Sequence, residues 1–282
     1  MKNILFIYSD ASHRKDFSRY YDYIKKELSS IYSQIDLYKS PSLEATFKKA
    51  EEACVNYSSL VIVSGDGTFQ QVLSKLALKE KLPTIGFINK GTLGDVGKNF
   101  GIRRNLKKSV KIIKKQHTCR ADFIFDGENG FCFVGAIGHY ADIPYKVNKK
   151  SKKFFRRFAY YFSAVKDLFK KELIHYKVTY ENTVLEGEAP FVMLMNGKYV
   201  GGFKVNKKSK IDDNIAELYI SKKGLFNGLV KYIFNRNKPI RITGEVSIET
   251  KENMLWDYDG EPIKEGKKTF KLLKNKFEIY CK

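Results

Sequence analysis

Two short glycine-containing stretches carry the residues best suited to chemistry. In "SGDGT", Ser64 to Thr68, two glycines, an aspartate and two hydroxyl residues stand where an apolar run, Leu60 to Val63, gives way to helical spacing. Glycines at such a turn expose backbone N–H groups and a helix start adds its dipole, so Ser64, Gly65, Gly67 and Thr68 form a candidate anion site. The helix is predicted to begin at Thr68, because Thr68 with Gln71 three residues on makes a capping box. The second stretch, "NKGTLGD", follows the apolar run Thr84 to Ile88 and places Lys90, Gly91 and Thr92 at the turn, with Asp95 as the next candidate cap. In an open parallel sheet such turns collect at the carboxyl ends of strands, where ligands bind. Two adjacent turns of this kind point to one polyphosphate ligand. The first stretch is not a Walker A loop, since no Lys-Ser/Thr follows, and position 70 is Gln where a dinucleotide fingerprint needs glycine. Either turn alone also reads as a plain strand-to-helix connection.

The elements that must position these turns alternate. Ile4–Tyr8, Leu60–Ser64 and Thr84–Ile88 are short and apolar, while Phe17–Tyr32, Leu43–Asn56, Phe69–Lys79 and Asn105–Lys115 have helical spacing. Such alternation predicts βαβ units and a parallel sheet. From Ala121 the pattern changes to short β-type runs, at 131–138, 174–180, 191–196, 215–220, 241–248 and 270–280, with one helix at 153–171. That half reads as an antiparallel sandwich or barrel. The expected architecture is therefore α/β plus all-β, with domains at 1–118 and 119–282.

Across the chain, 52 Lys+Arg against 31 Asp+Glu give a net charge of +21, which favours phosphate-bearing partners: nucleic acid, an anionic lipid surface or phosphorylated small molecules. Nucleic acid is not expected, since no reader motif accompanies the charge. Cys54, Cys119, Cys132 and Cys281 lie far apart with no CxxC spacing, suggesting neither a zinc site nor a disulfide framework and fitting a reducing compartment. His13, His117, His139 and His175 are scattered without metal-ligand spacing. No apolar run approaches a membrane span. A cytoplasmic protein is expected, with membrane contact only peripheral.

With these residues in view, the sequence resembles the diacylglycerol kinase catalytic-domain superfamily, which includes the sphingosine kinases. "SGDGT" is similar to the family's Gly-Gly-Asp-Gly-Thr nucleotide loop, and "GTLGDVGKNFGI" to its Gly-Thr-x-Asn-Asp-Phe-Ala block. "FVGAIGHYAD", "MNGKYVGGFKV", "KIDDNIAEL" and "WDYDGEP" follow in the family's order. The resemblance covers nearly the whole chain. It implies a parallel-sheet nucleotide-binding lobe and a β-sandwich lobe, with ATP and Mg²⁺ phosphorylating a lipid hydroxyl in a cleft between them. By position, Ser64, Gly65, Gly67, Thr68, Gly91, Thr92 and Asp95 would hold ATP, and Asp66 and Asp122 would serve the catalytic magnesium. Asp259, with Glu261 close by, would be the general base, and Asp66 is its rival in the sphingosine kinase branch. Asp213 and the Ile215 carbonyl would hold a structural magnesium. Such carboxylates suit phosphoryl transfer, which needs positioning and charge neutralisation more than covalent help.

Without the family, Asp259-Gly260 between apolar runs reads as a type I′ hairpin. The sequence also departs from the family: Tyr8–Ser12 lacks the Asn, Pro and Gly of its first loop, Gly94 stands for its Asn, and Asn89 for its Pro. A kinase with a membrane-embedded acceptor must dock, and the basic residues near 149–157, interleaved with Phe154, Phe155 and Phe158, suit the anionic inner face of a membrane. The implied activity is ATP-dependent phosphorylation of diacylglycerol or a related lipid alcohol, with a homodimer among the open oligomeric states. The alternatives are an NAD kinase-like enzyme and an inactive lipid-binding relative.

Overall fold

The computed structural model describes residues 2–9, 17–91, 94–138, 173–200, 203–204, 206, 208–221, 239–259 and 261–282. The chain divides into two compact units, Met1–Phe123 with Lys274–Lys282, and Ile124–Leu273. The expected boundary at 118 therefore moves to 123, and the last nine residues return to the first unit.

The first unit alternates strands and helices as the hydrophobic pattern requires. Its elements are β1 (Asn3–Tyr8), α1 (Tyr21–Leu28, led in by a 3₁₀ turn at Phe17–Tyr20), β2 (Gln34–Lys39), α2 (Leu43–Asn56), β3 (Ser59–Ser64), α3 (Asp66–Leu76), β4 (Thr84–Asn89), α4 (Asp95–Asn99), α5 (Leu106–Lys114) and β5 (Thr118–Phe125). β1 pairs in parallel with β2 and β3, and β3 with β4. All six residues of β3 are buried, as expected for a central parallel strand covered on both faces. α2 starts where Ser42 accepts the Ala45 N–H at 3.1 Å, and α5 where Asn105 accepts that of Lys108 at 3.0 Å.

The second unit contains β6 (Gly130–Phe131), β7 (Val134–Gly138), β8 (Ile174–Tyr180), β9 (Thr183–Ala189), β10 (Phe191–Met195), β11 (Tyr199–Val200), β12 (Phe203–Lys204), β13 (Ala216–Ile220), β14 (Ile240–Ile242), β15 (Glu245–Thr250), β16 (Trp256–Tyr258) and β17 (Glu261–Ile263). One antiparallel sheet runs β14-β13-β10-β7-β16-β17. In the other, β15 pairs with β8 and with the start of β18 (Lys268–Tyr280), and β8 pairs with β9. Their inner faces share one core that includes Phe131, Val192, Leu218, Trp256, Tyr258 and Phe270. The α/β plus antiparallel β reading thus holds. The run read as one strand over 241–248 is two, β14 and β15, in different sheets. The helix at 153–171, the basic cluster near 149–157, and His13 and His139 lie outside the described residues.

The far end of β18 completes the first unit. Ile279 pairs in parallel with Ile85 of β4, and the buried Tyr280 hydroxyl meets those of Tyr32 at 2.7 Å and Ser59 at 2.9 Å. Beside it Cys119 and Cys281 are joined by a disulfide, their Cα atoms 5.9 Å apart. This corrects the expectation that no disulfide forms. A separation of 162 residues hides the pair from any spacing rule, and the cysteine argument for a reducing compartment loses its support.

Candidate active site

The glycine turn of the first unit is built by β3 ending at Ser64 and α3 beginning at Asp66. The helix starts two residues earlier than Thr68 and has Gly65 as its N-cap with no side-chain cap, so the Thr68–Gln71 capping box does not form. Thr68 and Gly67 lie in the first turn of α3. The Ser64 hydroxyl donates to the Gly65 carbonyl at 3.0 Å, and its own carbonyl accepts the Lys90 N–H at 2.7 Å. Those bonds tie the first turn to the second.

The second turn leaves β4 through Asn89, Lys90 and Gly91 and enters α4. Here the N-cap is Gly94 at φ 70°, and Asp95 is the first helical residue rather than the cap. Thr92 lies outside the described residues. Gly65 and Gly91 meet backbone to backbone: a Cβ on Gly91 would stand 3.0 Å from Gly65 Cα and 3.2 Å from the Asp66 nitrogen. Glycine at 91 is thus required for close approach.

Asp66 links the two turns. Its Oδ2 accepts the Gly94 N–H at 2.8 Å, and the N–H groups of Asp95 and Val96 also bond to the carboxylate. Its Oδ1 is buried without a hydrogen-bond partner. Burial first, and the neighbouring Asp95 carboxylate second, push Asp66 above the usual carboxylate range, against the pull of those N–H groups. Asp95 itself pairs with Lys98 at 3.1 Å. Two carboxylates with one unsatisfied buried oxygen suit a hard divalent cation, so the residues present fit the magnesium that the family implies.

Two neighbours had no role assigned from sequence. Asn89 is buried; its Oδ1 accepts the Gly91 N–H at 2.8 Å and its Nδ2 has no partner. A Cβ on Gly94 would sit 2.5 Å from that Nδ2. The Asn89 side chain therefore occupies the space a larger residue at 94 would need, which links the two departures from the family pattern. Lys90, placed at the turn by sequence, has its ammonium 5.7 Å from the centre of the Tyr20 ring, and burial draws its pKa down. A buried asparagine that bonds to backbone, as Asn89 does, carries no sequence signal beyond its position at the end of a strand.

Of the remaining acids, Asp122 belongs to the first unit, and Asp213, Asp259 and Glu261 belong to the second. Asp122 is fully buried on β5, and its Oδ1 accepts the Asn275 N–H at 2.7 Å, where Asn275 bends β18 at φ 49°. That bond fastens β5 to β18 at its bend.

In the second unit, Asp259 follows β16, has φ 50°, and leads into β17, with Tyr258 opposite Glu261. β16 and β17 thus form a hairpin as that reading expects, with Gly260 itself outside the described residues. The Asp259 carboxylate accepts the N–H groups of Cys132 at 2.9 Å, Phe133 at 3.2 Å and Val134 at 2.8 Å. Both oxygens hold the β6–β7 connection. Glu261 is half-buried at the start of β17.

Asp213 and Ile215 do come together, but the Ile215 N–H donates to the Asp213 carboxylate. The structural-magnesium reading needs the Ile215 carbonyl instead. Asp213 Oδ1 is buried without a partner, and burial raises the group. One oxygen is thus left for a cation, beside the charge of Arg241. Nearby, Glu217 accepts the Ser209 hydroxyl at 3.0 Å and is pushed up to about 7, chiefly by burial.

The chain is similar to known proteins in sequence and in fold. Residues 3–125 match the family model described as the diacylglycerol kinase catalytic domain. The chain is 24% identical over 290 residues to a diacylglycerol kinase of Staphylococcus carnosus (strain TM300), covering 99% of this chain and 95% of the relative. It is 26% identical over 224 residues to a diacylglycerol kinase of Staphylococcus saprophyticus subsp. saprophyticus, covering 79% and 73%. A crystal structure of a diacylglycerol kinase from Bacillus anthracis str. Sterne has the same fold, with a TM-score of 0.83, 24% identity, and coverage of 100% of this chain and 97% of that one. The family resemblance carried by the two glycine turns is thereby borne out, and the chain is diacylglycerol kinase-like, with the catalytic-domain match at residues 3–125.

Proposed function

We propose that the chain is an ATP-dependent lipid kinase that transfers the γ-phosphoryl group to the hydroxyl of diacylglycerol or a related lipid alcohol at a membrane surface. The observation that carries this reading is Asp66. One of its oxygens is held by the α4 amides, and the other is buried, unpartnered and beside Asp95.

Magnesium, when bound, would supply charge neutralisation at the phosphates. In this reading Asp66 and Asp95 hold it, and the backbone N–H groups of the Gly65 and Gly91 turns bind the phosphate chain. Asp66 or Glu261 takes the proton from the acceptor hydroxyl. Asp259 keeps the hairpin that carries Glu261 fixed to β7. Asp213 holds a second cation, and the basic residues near 149–157 draw the protein to an anionic inner membrane face. Among the described residues no helix is long and apolar enough to cross a membrane, consistent with peripheral attachment.

The test is transfer of labelled γ-phosphate from ATP to a panel of lipid alcohols in anionic mixed micelles, with wild type beside Asp66→Asn and Glu261→Gln. Labelling of a lipid that Asp66→Asn abolishes is expected. Phosphorylation of NAD with every lipid unlabelled would overturn the proposal.

A further inference from the structure

A second cluster of ligating side chains lies at the end of the first unit and uses none of the residues of the glycine turns. His117 and Cys119, which stand at the entry to β5, meet Cys281 just past β18, and one ligand atom from each falls within 4.8 Å of the others. The Cys281 sulfur is 3.3 Å from His117 Nδ1. In a tetrahedral zinc site the sulfur–nitrogen edge is about 3.6 Å and the sulfur–sulfur edge about 3.8 Å, from bond lengths near 2.3 Å and 2.05 Å. The histidine edge is thus nearly in place. Only the two sulfurs must part, and Cα atoms 5.9 Å apart leave room for that.

Paired backbone holds these ligands in position. The Cys281 N–H donates to the His117 carbonyl at 3.2 Å, and the Lys282 N–H to the Phe100 carbonyl at 3.1 Å. Burial falls from Cys281, buried, through Cys119 to His117, exposed. Entry and a fourth position are therefore open to solvent on the histidine side. Two thiolates and an imidazole form a soft donor set that selects zinc-class ions over magnesium or calcium.

We propose that the reduced chain binds one thiophilic divalent cation, zinc(II) in class, through His117 Nδ1 and the sulfurs of Cys119 and Cys281, with water in the fourth position. The disulfide and the metal exclude each other. A dithiol reductant passes two electrons to the Cys119–Cys281 bond, becomes a cyclic disulfide and leaves two thiols. Zinc(II) then displaces their two protons and takes both sulfurs as thiolates.

The experiment uses the full chain, reduced with a dithiol, desalted without oxygen, and shown in denaturant to carry all four thiols. Cobalt(II) is titrated as the probe, followed by zinc(II). One equivalent of cobalt is expected, with a near-ultraviolet thiolate-to-cobalt band and visible bands of tetrahedral intensity, all removed by zinc. His117→Asn keeps the disulfide available for folding and should weaken cobalt binding by about tenfold or more while retaining the thiolate band. The double variant Cys54→Ser with Cys132→Ser, at the free buried cysteines, should bind as wild type does. Cys119→Ser with Cys281→Ser should lose the band. Alkylating the reduced wild type before titration gives the same reading should that variant not fold. A reduced protein with no thiolate–cobalt band, or a band that survives loss of both Cys119 and Cys281, overturns the proposal.

Discussion

Asp66 and Asp259 have the same local sequence, an aspartate before a glycine at the end of a strand, and the two units use them oppositely. In the first unit the Asp66 carboxylate is bonded on one oxygen by the amides that open α4, and its other oxygen is buried without a partner. In the second, three amides of the β6–β7 connection hold both oxygens of Asp259. A carboxylate whose acceptor capacity is taken up by backbone N–H groups is a fastener, because moving a proton onto it would cost those bonds. A carboxylate left half-satisfied in a buried site is poised for a cation. The Asp-Gly pair therefore says nothing of role until the amides around it are counted.

The comparison breaks most visibly at Asp66. Replacing it with Asn should lower phosphotransfer on the order of 10²–10³-fold while the thermal midpoint holds or rises, since a destabilised buried acid is removed. Micelle assays and calorimetry read both. Asp259→Ala should do the reverse. Three amides lose their acceptor, so urea unfolding should show a loss of about 3–5 kcal/mol, with activity per folded molecule largely kept. A stable, inactive Asp259→Ala protein would return the general base to that position.

Glu217 sharpens the contrast between burial and pairing. Its folded pKa of about 7 stands above its ordinary 4.5, so the stability it contributes is full below 4.5 and is lost as pH rises through about 7. The loss should be on the order of 3 kcal/mol. Glu217→Gln should flatten that part of the stability profile, as urea midpoints across pH 4 to 8 would reveal. Smallest is Gly91→Ala. Its added methyl group would press on Gly65 and the Asp66 nitrogen, and should raise the ATP KM by about tenfold, an overpacking cost of about 1–2 kcal/mol.

Much of this was legible from residue order. α2 occupies Leu43–Asn56 and β8 occupies Ile174–Tyr180, as their periodicities indicate. Both glycine turns were visible because a strand run, glycines and helical spacing follow without a linker. The start of α3 was misplaced because Gly65 caps it without a side chain, so a capping-box signal two residues on prevailed. The run 241–248 hid a change of sheet: Thr243-Gly244 separates β14 from β15, but a lone glycine inside a β-type run reads equally as a bulge within one strand. The division of labour among Asp66, Asp122 and Asp259 was not legible. Each is decided by which distant amide meets the carboxylate, and Asn275 is 153 residues from Asp122.

The route of β18 sets an order of events during synthesis. The parallel sheet of the first unit lacks its final strand until Phe277, Ile279 and Tyr280 arrive, all of them buried in it. Those residues leave the ribosome after the entire second unit. At about 5–20 residues per second the first unit waits roughly 10–30 s with one strand position unfilled beside β4. A chain interrupted within the second unit would therefore carry both glycine turns on an unfinished sheet, and phosphate binding should appear only once translation has delivered the last strand.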